Sequence, residues 1–442
     1  MKNKKPNRTG KIVLSVVLAI VLFLSGGVAS WFLLDSQTRS FLKVKFLIDN
    51  FYYEDIDDEE FYDVVFDAIN YNLLDAYSQY YTADEFEAVQ SQSTGARSGL
   101  GLSFATNALA GDELKIVRVS GNSPAEAAGL KVGSHILAVG ETQTELTECK
   151  TFDEFAALLG EYETDEPFYI KVSESGTEKT VSISKQAYVE NYVFYRSKDS
   201  AYRFTGAKAT LLTEGGEPLT ALSEDTAYIL LTEFNGSAVE EFDKVMSVFR
   251  KEGKKNLVLD LRGNGGGDLE ILCDIAKYFC KNSNAKKPVV AIGAYQDYEE
   301  KFKASDNVYY DYFSEDSRIC VLADSGTASA SEALIGCMID YGAISYSDIC
   351  LSERGNVAKT YGKGIMQMTI PLLFGKDALK ITVAKILWPV SGDCIHGRGI
   401  LPQDGACTVA ENTDDDREIA DALAALWKNG AVSGGGTPVN MP

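Results

Sequence analysis

The chain has 442 residues, 45% of them apolar and 24% charged, enough to bury the cores of two or three domains. Lys and Arg number 42 against 64 Asp and Glu, a formal charge of −22. That balance argues against a nucleic-acid binder, which needs a basic face to neutralise phosphates. Two histidines and no CxxC pair leave little from which to build a zinc or redox centre, so no metal and no cofactor is expected.

Residues 1–11, MKNKKPNRTGK, carry five basic side chains and no acid. Residues 12–34 are uncharged. As a helix they reach about 34 Å, enough to cross a bilayer core of about 30 Å. A basic flank stays in the cytoplasm, so the expectation is a single-pass anchor at the cell membrane with the body outside. The alternative is a cleaved signal peptide ending near GGVAS. Both export the body, and export permits disulfides. Cys394 and Cys407 flank a short loop and are a candidate pair, while most other cysteines lie in apolar runs as buried thiols.

Residues 36–95 read as a helical segment, with apolar side chains at three-and-four spacing in KVKFLIDNFYY and EEFYDVVFDAINYNLLDAY. Its helices are a candidate dimer surface. After the Gly/Ser-rich stretch SQSTGARSGLG, residues 97–187 form a unit of short strands (LGLSFA, ELKIVRV, HILAVG, FYIKVSE, TVSISK) broken by helices at SPAEAAGL and TFDEFAALLG. From about 190 to 428 strands alternate with helices. Phe242, Val245, Met246 and Phe249 make one helical stripe, and Ser237 with Glu240 has capping-box spacing. The near-continuous apolar strands NLVLDLR, PVVAIGAY and RICVLA predict a buried, largely parallel sheet. Residues 429–442 are expected to be disordered.

Three stretches carry possible chemistry. In LVLDLRGNGGGDLEIL, residues 257–272, a strand runs through four glycines into a helix. GxGxxG fails because its third position is Asp268, and no GK[ST] follows. A tight turn and an anion hole made of amides both remain open. In DSGTASASEA, residues 324–333, Ser329 sits where a strand meets a helix. Ser329 and Glu332 have capping-box spacing, which explains a helix start without catalysis. The same geometry would let Ser329 act as a nucleophile, with the Ala330 amide facing an oxyanion. A serine needs a base. His396 in CIHGRGI is one candidate. The other is Lys363 in TYGKGIMQMTI, residues 360–370, which must be desolvated to act near neutral pH. If that stretch is a strand, Lys363, Ile365, Gln367 and Thr369 share a face, and Gln367 would orient the amine.

Taken together and in this order, LVLDLRGNGGGDL, DSGTASASEAL and TYGKGIMQ resemble the carboxy-terminal processing peptidases, the PDZ-containing serine proteases of family S41. SGLGLSF resembles the PDZ carboxylate-binding loop, SPAEAAGLKVGSHILAVG the segment after it, DAYSQYYTADEFEAVQSQSTG the helical segment before it, and HGRGILPQDG a closing strand. The resemblance implies an α/β, multidomain chain. It comprises an N-terminal transmembrane helix, a helical segment, a β-rich PDZ domain over 97–187 and an α/β catalytic core of the ClpP/crotonase-like type over 190–428. It implies a Ser-Lys endopeptidase with Ser329 as nucleophile, Lys363 as base and Gln367 orienting it. The oxyanion donors implied are the amides of Gly266 and Ala330. Gly99, Leu100, Gly101 and Leu102 would bind the carboxylate of protein or peptide substrates with apolar C-termini, and the PDZ unit would gate cleavage. The alternative is an inactive relative whose PDZ domain only captures tails at the membrane surface. Three features depart from the pattern: Lys363 lies 34 positions after Ser329, Gly265 stands where the family has proline, and Gly133-Ser134 replaces a frequent Gly-Asp.

Overall fold

The computed structural model describes residues 32–92, 96–104, 114–174, 176–205, 210–212, 218–372, 376–412 and 414–428. The chain divides into two units, Met1–Ala76 and Tyr77–Pro442. Most of the expected span at 12–34, and the whole of 429–442, lie outside the described residues. Among the described residues no helix is long and apolar enough to cross a membrane.

In the first unit, α1 (Ser36–Phe51) and α2 (Asp58–Asn72) start at aspartate caps. The Asp35 carboxylate accepts the N–H groups of Gln37 and Thr38, and Asp57 accepts that of Glu60. Lys45 joins the two helices. Its ammonium donates to Asp58 at 2.6 Å and lies 4.9 Å from the Phe61 ring centroid.

The second unit begins with β1 (Gln79–Tyr81) and α3 (Ala83–Gln92). A β-rich module follows, with β2 (Ala96–Gly99), β3 (Leu102–Phe104), β4 (Leu114–Val119), α4 (Pro124–Ala127), β5 (His135–Gly140), β6 (Thr147–Glu148), α5 (Phe152–Gly160), β7 (Pro167–Glu174), β8 (Thr177–Ser184) and β9 (Gln186–Val189). The described strands run β3-β4-β5-β7-β8 in one sheet, with β6 on β5, while β2 pairs with β9. Alternate residues of β7 (Phe168, Ile170, Val172) are buried against Ile116, Ile136 and Phe155, the period-two burial of a sheet with one inward face. SPAEAAGL proves to be only a single helical turn, because Gly129 follows α4 with φ +69°.

The larger domain contains β10 (Val193–Arg196), β11 (Ala201–Thr205), β12 (Thr210–Leu212), β13 (Thr226–Leu231), α6 (Ala238–Lys251), β14 (Asn256–Asp260), α7 (Leu269–Ala276), β15 (Val289–Ala294), β16 (Glu299–Lys303), β17 (Ile319–Ala323), α8 (Ala330–Asp340), β18 (Ile349–Ser352), β19 (Ile365–Pro371), β20 (Ala378–Leu387), β21 (Cys407–Val409) and α9 (Asp415–Lys428). Its main sheet runs β12-β11-β10-β13-β14-β17-β18-β21, parallel from β13 to β21. All four apolar residues of the α6 stripe are buried. Ser237, however, makes no cap; its hydroxyl donates to Glu241, which also accepts the N–H groups of Tyr192 and Val193 and so ties α6 to β10.

Three expectations fail here. PVVAIGAY is not a member of the parallel sheet: β15 pairs antiparallel with β16 and β20 in a second sheet that also holds β1 and β19. The strand in TYGKGIMQMTI begins only at Ile365, so Lys363 lies in the loop before it. Gly362 (φ +89°) and Gly364 let the backbone of residues 396–399 pack directly on that loop. HGRGILPQDG is accordingly a chain of turns and a short 3-10 helix, with strand only at Cys407–Val409.

Candidate active site

Strands β14 and β17 are parallel neighbours, and each ends in a turn at its carboxyl end, where open α/β sheets place their sites. The turns are laced together. Gly263 N–H donates to Asp324 Oδ1 at 2.8 Å, Thr327 Oγ1 to the Leu261 carbonyl at 2.8 Å, and Ala328 N–H to the Asn264 carbonyl at 2.9 Å. Glycine is required at 266, where φ is +102° and a Cβ would lie 2.7 Å from Ser329 Cβ. The start of α7 is not an anion site, because the Asp268 carboxylate already accepts the N–H groups of Glu270 and Ile271.

The three serines of DSGTASASEA differ in their surroundings. Ser331 is buried and its hydroxyl donates to the Asn264 carbonyl at 3.0 Å. Ser325 is partly exposed in the turn. Ser329 is partly exposed, stands at the N-cap of α8, and has φ +57°, ψ −116°. Such a conformation costs a non-glycine residue about 1–3 kcal/mol and is concentrated at functional sites. It points the Ser329 corner at Gly266, beside the N–H of Ala330.

The link to Lys363 runs through Glu332, which is 1% exposed. Its Oε2 accepts Ser329 N–H at 3.1 Å and Lys363 N–H at 2.8 Å; its Oε1 accepts Gly362 N–H at 2.8 Å and the Thr360 hydroxyl at 2.5 Å. Burial raises the Glu332 pKa above its ordinary value, against the pull of these donors. The capping reading is therefore correct as far as it goes, since Glu332 does return to Ser329. The same carboxylate also holds the lysine loop.

The remaining candidates fall as follows. Lys363 Nζ lies 5.1 Å from the Tyr77 ring centroid. Gln367 is on β19, and its amide nitrogen donates to Thr382 Oγ1 across the sheet at 3.1 Å. The Gly266 amide, the other expected oxyanion donor, has a partner within its own turn. It donates to Asn264 Oδ1 at 2.9 Å, because the buried Asn264 amide is itself fixed by donation to the Leu231 carbonyl at 2.8 Å. His396 lies beside Gly364. Cys394 and Cys407 are not partners: the Cys394 thiol donates to the Gly364 carbonyl, and Cys407 faces Cys350 across β18 and β21. Among the described residues no group of three His, Cys, Asp or Glu side chains is arranged for a metal.

Gly99, Leu100, Gly101 and Leu102 lie elsewhere, along a pocket of about 460 Å³ in the β-rich module. Gly99 (φ +137°) and Gly101 (φ +80°) bend the chain between β2 and β3, and a Cβ at 101 would lie 2.2 Å from Ser123 Cβ. Phe104, Phe152, Phe155 and Leu159 give the pocket an apolar side. Its charged side, missed in the sequence, is Arg97 and Arg118. Arg97 donates to the buried Glu190 at 2.9 Å, and Arg118 donates to Glu190 at 2.7 Å and to Glu233 at 3.2 Å. Glu233 adjoins Phe234, whose N–H donates to the Gly266 carbonyl at 2.9 Å.

A strained serine at the carboxyl ends of parallel strands, with a helix amide beside it and a lysine loop bound through the same carboxylate, is an arrangement that serine hydrolase chemistry can use. Residues 225–404 match the model of peptidase family S41. Residues 225–404 thus form an S41 peptidase domain, and the chain is a serine-type peptidase. It is 26% identical over 332 residues to a carboxyl-terminal-processing protease of Picosynechococcus sp., covering 75% of this chain and 70% of that one. It is 26% identical over 397 residues to a probable CtpA-like serine protease of Staphylococcus saprophyticus, covering 88% and 71%. Its fold is similar to that of a photosystem II D1 C-terminal processing protease, with a TM-score of 0.50 and 20% identity over 87% of this chain and 91% of the other.

Proposed function

We propose that this chain is a Ser-Lys endopeptidase that selects proteins by their free C-termini. Ser329 is the nucleophile and Lys363 the general base. Neutral Lys363 takes the Ser329 proton as Oγ bonds to the scissile carbonyl carbon. The resulting ammonium returns the proton to the leaving amine, and the acyl-enzyme is then hydrolysed by water that Lys363 activates. The Ala330 N–H faces the oxyanion. The Gly266 N–H joins it by sharing its proton with Asn264 Oδ1, as three-centre hydrogen bonds allow. The observation that carries this reading is the shared Glu332 carboxylate, which fixes the backbones of both residues to one point.

The β-rich module acts as a PDZ domain. The glycine bend at 99–102 offers backbone N–H groups to a terminal carboxylate, Arg97 and Arg118 add positive charge, and the phenylalanines receive an apolar last side chain. Residues 12–34 anchor the chain, with the peptidase outside the cytoplasm; removal of residues 1–35 should release it from the membrane fraction.

The test is to incubate the purified extracytoplasmic portion with a protein ending in an apolar tail, and with the same protein amidated at its C-terminus. Cleavage of the first and at least tenfold slower cleavage of the second is expected. Lys363→Ala should abolish both while leaving the thermal melt unchanged; full activity in that variant would refute the dyad.

A further inference from the structure

Tyr77 reaches the lysine from a part of the chain that none of the three motifs contains. It lies two residues before β1, and its ring face lies 5.1 Å from Lys363 Nζ. The placement is braced. Ser78 is buried, and its Oγ accepts the Thr382 N–H at 3.0 Å. Thr382 Oγ1 in turn accepts from Gln367. β1 pairs with β20 from Gln79↔Lys380 to Tyr81↔Ala378, and the Tyr77 hydroxyl donates to that of Tyr361 at 3.4 Å. The segment that carries the ring is thus fixed to the strand pair that follows the lysine.

We infer that Tyr77 is a positioning residue for the reaction proposed above: its ring stabilises the ammonium that Lys363 becomes on taking the Ser329 proton. The inference rests on Lys363 being the base. An aromatic face attracts an ammonium through its quadrupole, and a neutral amine lacks the charge for that attraction. The interaction therefore strengthens as the proton moves from Oγ to Nζ, so it favours the transition state over the ground state. It has an opposite effect at rest. Favouring the ammonium raises the lysine pKa relative to the same site without the ring, so fewer lysines are neutral at a given pH.

Among the described residues, the other charged or titratable groups around this loop include Glu332 on α8, Tyr361 within the loop, Cys394 and His396 beside Gly364, and Arg398 beside Gly362, the last paired with Asp404. Lys380 and Lys385 lie on β20. Every replacement of Tyr77 removes its hydroxyl's bond to Tyr361, and Tyr77→Phe removes that bond alone, so the phenylalanine variant separates its effect from that of the ring.

The experiment is the pH profile of kcat/KM in Tyr77→Leu, Tyr77→Phe and Tyr77→Trp, with Lys363→Ala alongside. The acidic limb reports the base in the free enzyme. Leucine keeps apolar bulk but removes the π face. It should lower the plateau about three- to tenfold and move the limb about half a unit to one unit toward acid. Phenylalanine should restore the limb, and tryptophan should move it toward alkali. A merely structural tyrosine would lower the plateau and leave the limb in place; that result in Tyr77→Leu overturns the inference. If Tyr77→Leu does not melt as a folded protein, Tyr77→Trp decides, and a limb at or below the parent's pH overturns it. Activity surviving in Lys363→Ala would instead refute the base assignment beneath it.

Discussion

The backbone nitrogens of Ser329 and Lys363 donate to one and the same oxygen, Glu332 Oε2, at 3.1 and 2.8 Å. They are therefore no farther apart than those two bonds laid end to end. A helix cap has become the joint between the Ser329 turn and the Lys363 loop.

Glu332→Gln tests that joint. The carboxylate accepts on both oxygens, and an amide replaces one acceptor with a donor that faces other donors. Each lost bond to a charged buried group is worth about 1.5–3 kcal/mol. The expected result is a fall in kcat of at least a hundredfold together with a lower melting temperature. Unchanged kcat would show that the two segments keep their places without the carboxylate.

Gly266→Ala should silence the serine at smaller cost to the fold. The new methyl group would meet Ser329 Cβ at 2.7 Å, and φ +102° is unfavourable for alanine. A serine-reactive phosphonate is expected to label the parent and not the variant. Circular dichroism spectra should stay superimposable.

Gly101→Ala addresses the pocket in the β-rich module. Its methyl group would lie 2.2 Å from Ser123 Cβ and 3.0 Å from the Tyr188 hydroxyl, so the bend at 99–102 must open. Titration with a fluorescent peptide ending in a free apolar residue should show affinity at least tenfold weaker than in the parent. The amidated peptide should bind both proteins equally poorly.

Stability should depend on pH through Glu241. Burial pushes its pKa up to about 7, although Ser237, Tyr192 and Val193 donate to it. Between the ordinary value of 4.5 and about 7, the native state holds a proton that the unfolded chain releases. Stability from this group is therefore greatest below pH 4.5, falls as pH rises through 7, and levels off above that. The full shift corresponds to about 3 kcal/mol at most. Urea unfolding at pH 5 and pH 8 should show the parent losing more stability than Glu241→Gln across that interval. An equal loss in both proteins would place the titration elsewhere.

The sequence made much of this visible. The short strands of the β-rich module could be named from the sequence, and the α6 stripe at 242, 245, 246 and 249 is buried throughout. Ser329 could be placed at a strand-to-helix corner because apolar run, turn and helix follow one another directly. What periodicity does not carry is partnership between distant strands. The antiparallel sheet that joins β1, β15, β19 and β20 draws on residues from 79 to 387, and its absence from the reading put β15 in the wrong sheet and began β19 too early. Tyr77, Arg118 and Asn264 went unnoticed for the same reason, since each matters only through what it touches. Glu332 did leave a signal, its capping-box spacing, but one carboxylate has two oxygens and the spacing accounts for only one set of donors.

The brace on the glycine turn comes from far along the chain. Arg262, one residue before Gly263, is buried between Asp260 and Glu418, and Glu418 on α9 also accepts from Ser352 at 2.7 Å and from the Asn412 N–H at 2.7 Å. During synthesis the ribosome makes the serine and the lysine well before it makes residue 418. A growing polypeptide holds both segments while Arg262 has Asp260 but not yet Glu418, so the brace on the glycine turn closes only after residue 418 has left the ribosome.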